Sequence, residues 1–109
     1  MSKRLIKHAT VLKLLQKSSP SVVRHIIKKA DRKLLNTLCE CSLNILKGNI
    51  ALSKPQLIRL KKYKSALRKL VERKTSLKKK KDILQTGGFL SALLTPLLGV
   101  LGGIFGVNK

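Results

Sequence analysis

Residues 83–108, ILQTGGFLSALLTPLLGVLGGIFGVN, run for 26 positions without a charged side chain. How this stretch leaves water decides the fold. A bilayer, a protein shell, or the chain's own helices would each accept it. Phe89–Val107 spans 19 residues, just enough for a membrane-crossing helix. The pairs Gly99/Gly103 and Gly102/Gly106 have the spacing that lets membrane helices approach closely. Thr95-Pro96 near the middle, the cluster of glycines after residue 98, and Gly87-Gly88 at the entrance all weigh against an uninterrupted span. The sequence alone therefore predicts that residues 83–109 form a Gly-Gly hinge and a hydrophobic tail. The candidates for membrane or shell contact are Phe89, Leu90, Leu93, Leu94, Leu97, Leu98, Leu101, Ile104 and Phe105.

Directly upstream the chemistry reverses. Between Lys54 and Lys81 there are thirteen Lys or Arg and one acid, Glu72. Ser53 is placed to cap a helix that tolerates Pro55 in its first turn. Leu60, Tyr63, Leu67 and Leu70 then recur at steps of three and four, so one apolar stripe runs through an otherwise basic helix. Thr75 and Ser76 break or recap it before a short basic segment, Leu77 to Leu84. Residues 54–82 thus read as a strongly basic helix and linker. A solvated face normally mixes charges of both signs, and this one does not. The bases Lys54, Arg59, Lys61, Lys62, Lys64, Arg68, Lys69, Arg73, Lys74, Lys78, Lys79, Lys80 and Lys81 are the candidate nucleic-acid contacts. Each can neutralise a phosphate and release a condensed counterion. About eight contacts would give a log–log salt slope near −7 on duplex DNA. The same ammonium groups also suit anionic lipid headgroups, at about 1 kcal/mol each near a membrane surface. Lys78–Lys81 also suits a nuclear-import signal.

Residues 1–53 read as an N-terminal helical region. Leu5, Ile6, Ala9, Leu12 and Leu15 recur at helical spacing, predicting a helix over 3–17. Ser19-Pro20 starts a second that runs to about Ala30. Asp31 caps a third, striped by Leu34, Leu38, Cys41 and Ile45, and Gly48 ends it. Strand alternation is missing throughout. The expected class is all-α: a small bundle of about four short helices, then a basic helical linker and an apolar, Gly- and Pro-containing tail.

The 109 residues carry a net charge of +21, whose self-repulsion opposes compaction until a polyanion binds. Only Tyr63, Phe89 and Phe105 are aromatic, so platforms for stacking single-stranded bases are scarce, and phosphate contact is favoured over base reading. Cys39 and Cys41, two apart on a helix, point to nearly opposite sides and are poorly placed for a disulfide or a shared metal ion. His8 and His25 add no zinc spacing. The four acids, Asp31, Glu40, Glu72 and Asp82, are scattered along the chain. No catalytic constellation or cofactor site is expected. Lysines 7, 13 and 17 interrupt any apolar run at the N-terminus, so no secretory signal is expected.

The order of basic body, Gly-Gly and Leu/Pro/Gly-rich apolar segment resembles the precursor of the adenovirus core peptide mu. It is more similar still to core proteins of adenovirus-like elements in animals, the adintoviruses and their Polinton relatives. The carrying residues are Leu84-Gln85-Thr86-Gly87-Gly88-Phe89-Leu90 and Leu93-Leu94-Thr95-Pro96-Leu97-Leu98-Gly99. The resemblance implies a virion core protein, acting in the host nucleus and the particle, that condenses packaged double-stranded DNA. It also implies a viral cysteine protease as a partner, cutting after Gly87-Gly88, and a tail that meets the capsid interior or a membrane. The chain departs from the family's cleavage pattern at Gln85, where a large aliphatic residue is usual.

Overall fold

Four helices of the computed structural model, which describes residues 3–104, begin at caps written locally into the chain. The side chain of Ser19 accepts from the Val22 N–H to start α3 (Pro20–Lys28), and Asp31 accepts from the Leu34 N–H to start α4 (Arg32–Leu46). Ser53 and Gln56 form a reciprocal capping box for α5 (Lys54–Lys61). Ser76 accepts from the Lys79 N–H and starts α7 (Leu77–Leu84). Gly48, with φ +74°, takes the left-handed turn just past α4, as its position predicted. The remaining elements are α1 (Lys3–Lys7), α2 (Ala9–Lys17), α6 (Lys64–Val71) and α8 (Phe89–Ile104).

Among the described residues the chain is all-helical, with eight helices rather than about four and a linker. Two of the extra boundaries arise where the predicted long helices break. The helix expected over 3–17 divides at His8, whose φ −94°, ψ 8° leaves the helical well. Its Nδ1 lies 2.9 Å from Thr37 Oγ1 on α4. The basic helix expected to continue from Ser53 past Leu70 divides at Tyr63, with φ −106°, ψ 12°. There the N–H groups of Lys62 and Tyr63 tighten onto the carbonyls of Arg59 and Leu60. The Tyr63 hydroxyl donates to the Gly87 carbonyl at 3.1 Å, and its ring meets Phe89 edge-on at 5.4 Å. Both breaks sit where a side chain reaches a distant element. Neither carries the glycine or proline that usually marks a helix end.

The larger departure concerns the apolar stretch. Six of the residues expected to face a membrane or shell, Phe89, Leu90, Leu93, Leu94, Leu97 and Leu98, are buried in the protein's own core. Ala92 and Pro96 between them are buried too, so α8 is apolar on nearly every side. A helix without a polar face needs neighbours around it. α2 supplies the largest contact, with α4, α5 and α7 also against it. Its two polar side chains in this stretch, Ser91 and Thr95, are half-buried. The Thr95 hydroxyl donates to the Ser91 carbonyl and accepts from Gln16 Nε2 on α2 at 3.1 Å. Leu101 and Ile104 lie on the last turn of α8, beyond the side chains described, and Phe105 lies outside the described residues. Among the described residues no helix is long and apolar enough to cross a membrane. The core thus gathers the predicted stripes of α1 and α2 (Leu5, Leu12, Leu15), α4 (Leu34, Leu38, Cys41) and α5–α6 (Leu60, Leu67, Leu70) into one cluster with α8. The Cα radius of gyration, 12.9 Å, matches the ~13 Å expected of a folded chain of this length.

Candidate nucleic-acid interface

The stripe of Leu60, Leu67 and Leu70 points α5 and α6 inward, and this fixes where their bases go. Lys54, Arg59, Lys61 and Lys62 are exposed on and just after α5, and Lys64, Arg68 and Lys69 on α6. Arg73 and Lys74 are exposed in the α6–α7 connection, and Lys78 and Lys79 at the start of α7. Eleven of the thirteen predicted contacts therefore reach solvent. With four acids against 25 bases in the whole chain, few can find an internal carboxylate. Asp31 is committed to capping α4.

Lys80 and Lys81 behave differently, being half-buried. The Lys81 ammonium donates to the Lys28 carbonyl at 2.9 Å, at the C-terminal end of α3 where the helix dipole favours a cation. Lys80 sits beside Cys39, whose thiol donates to the Leu70 carbonyl at 3.2 Å. α7 is thereby tied to both α3 and α4, while Lys78 and Lys79 stay exposed.

The fold also recruits bases outside the predicted block. Lys28 and Arg32, from the junction of α3 and α4, share a cleft of about 440 Å³ with Lys78 and Lys81. Nearly fifty residues separate the two segments, and no local pattern joins them. Tyr63, the one aromatic among the basic helices, is half-buried and engaged with Gly87 and Phe89. It offers no stacking face to a base. The exposed ammonium and guanidinium groups are donors of the kind that phosphate oxygens accept from.

Gly87 and Gly88, the predicted processing site, are exposed in the connection between α7 and α8. Gly88 has φ +80°, a region that disfavours side chains, and a Cβ there would lie 3.0 Å from the Tyr63 hydroxyl. With the Gly87 carbonyl held by Tyr63, the pair forms a tight turn from α7 into α8. Protease clefts take extended backbone, so cutting here requires the turn to open.

Both cysteines are free. Burial pushes the Cys41 thiol up to about 12, with the Glu40 carboxylate adding to the effect. Burial also raises Cys39, partly offset by the Lys80 ammonium beside it. Cys41 lacks the electropositive, open setting of a reactive thiolate, and for Cys39 burial outweighs the nearby ammonium. No group of His, Cys, Asp or Glu among the described residues is arranged to hold a metal ion. Comparison with protein families, with curated proteins and with solved structures finds no match for this chain.

Proposed function

We propose that this protein binds and condenses double-stranded DNA without reading its sequence. The observation that carries this reading is the set of eleven exposed bases on α5, α6, α7 and their connections, mounted on helices whose apolar sides are locked into a core. A folded polycation keeps its charges at fixed spacing, so counterion release is not opposed by the full entropy of ordering a flexible chain. Neutralising phosphates on neighbouring segments pulls DNA together irrespective of sequence. The resemblance to adenovirus-type core proteins would imply a virion core and the host nucleus as the setting for this activity. Cleavage after Gly88, which the same resemblance implies, would leave α8 held by its apolar contacts rather than set free. Docking on anionic lipid would use the same ammonium groups, but six of the apolar residues that would enter the bilayer are occupied inside the protein.

The test is a titration of the full chain against two duplexes of unrelated sequence and against anionic vesicles, in equal low salt. Affinities for the two duplexes within about threefold, with compaction of longer DNA, support the reading. A preference above about a thousandfold would mark a sequence reader, and binding to vesicles alone would mark a lipid-surface protein.

A further inference from the structure

We infer that the cleft between the α3–α4 junction and α7 is a phosphodiester-binding subsite formed by Lys28, Arg32, Lys78 and Lys81. The inference rests on the DNA reading above and names where on the body the backbone is gripped. Here four bases from two distant segments line one concavity. One acid, Asp82, shares it, leaving an excess of three positive charges. The buried Leu35 lines the same concavity and supplies a low-dielectric wall. A cleft with such an excess of one sign of charge against a low-dielectric wall focuses the field and raises the local concentration of an oppositely charged ligand. Its volume, about 440 Å³, lies within the ~300–1,000 Å³ range of ordinary ligand clefts.

The Lys81–Lys28 carbonyl bond keeps the cleft in shape. A carbonyl partner leaves the ammonium charge uncompensated and two of its three N–H donors unused by that bond. Arg32 adds a planar guanidinium that can hold two phosphate oxygens at once, and Lys28 and Lys78, both exposed, add further donors. Like charges gathered this closely repel one another, and a phosphodiester relieves that repulsion where water only screens it. The ligand is therefore the phosphate backbone of duplex DNA.

The experiment measures binding of the full-length chain to a duplex across a salt series. It compares Lys28→Gln/Arg32→Gln with a control of equal charge loss at residues that do not line the cleft, Lys3→Gln/Lys7→Gln. The Lys28 carbonyl is backbone, so substitution leaves the bond from Lys81 in place. Loss of two contacts should reduce the log–log salt slope by about 1.8, which near 0.15 M salt is roughly a 30-fold loss of affinity. The control should lose less than about threefold. Arg32→Lys, which keeps the charge, should retain most of the slope and guards against a folding artefact. Equal losses in the two pairs would overturn the subsite, showing that only net charge counts. A loss on anionic vesicles but not on duplex DNA would also overturn it. A wild-type chain that binds no duplex at all would bring down the DNA reading together with this one.

Discussion

Removing α8 should unfold the protein rather than trim it. Six of its side chains, Phe89, Leu90, Leu93, Leu94, Leu97 and Leu98, are buried. At about 1.5–3 kcal/mol each, their transfer from water contributes roughly 9–18 kcal/mol, an upper estimate that still rivals the whole stability of a small domain, about 5–15 kcal/mol. A chain ending at Gly88 should therefore lose its cooperative thermal transition and much of its helical circular dichroism. The single change Leu94→Ala, at a position with no exposure, should cost about 2–5 kcal/mol. At about 4–8 °C per kcal/mol, the midpoint should fall by roughly 10 °C or more. Ile58, an apolar residue that is 63% exposed on α5, provides the contrast. Ile58→Ala should change stability by less than about 0.5 kcal/mol. A chain ending at Gly88 that keeps its helicity and its melting midpoint would refute the claim that α8 is the core, and would return it to the status of a tail.

Gly88→Ala should destabilise by about 1–3 kcal/mol in chemical denaturation, because it forces a side chain into a positive-φ residue against Tyr63; Gly87→Ala, with open space around it, should cost far less. Tyr63→Phe removes the hydroxyl held by the Gly87 carbonyl and should cost about 0.5–1.5 kcal/mol. Ser53→Ala deletes half of the α5 capping box and should cost about 1 kcal/mol, read from the same denaturation curves. Cys41 gives a pH dependence: from its ordinary 9.0 to about 12 the unfolded thiol has ionised and the folded one has not. Its contribution is intact below pH 9.0 and should fall by about 1.4 kcal/mol per pH unit above it. Cys41→Ala should remove that component of the slope in unfolding experiments on either side of pH 9.0.

What the sequence made legible was local. Ser19-Pro20, Asp31, Ser53 and Ser76 announce helix starts because a cap bonds backbone three residues away, and Gly48 announces an end by the conformation it alone adopts easily. The inward stripes of α2, α4 and α6 followed from periodicity for the same reason. The breaks at His8 and Tyr63 were hidden, since their causes are Thr37, Gly87 and Phe89, far away in the chain. The placement of α8 was hidden more deeply. An apolar helix leaves water equally well in lipid or in protein, and only the amphipathic helices able to surround it decide between them. Those helices carry the basic residues on their other sides, so the two contrasting halves of the sequence become the inside and outside of one body. The exposed bases of residues 54–79 could be read directly. The convergence of Lys28 and Arg32 with Lys78 and Lys81 could not, because it exists only once α3, α4 and α7 have packed.

The central claim is that this surface binds by displacing cations from DNA, and its salt dependence tests that most directly. With about eight phosphate contacts, raising salt from ~100 to ~400 mM should weaken binding of the full chain to any duplex by roughly 10⁴-fold, along a log–log slope near −7. A slope shallower than about −2, at whatever affinity, would mean that the bases are not neutralising phosphates and would contradict the account.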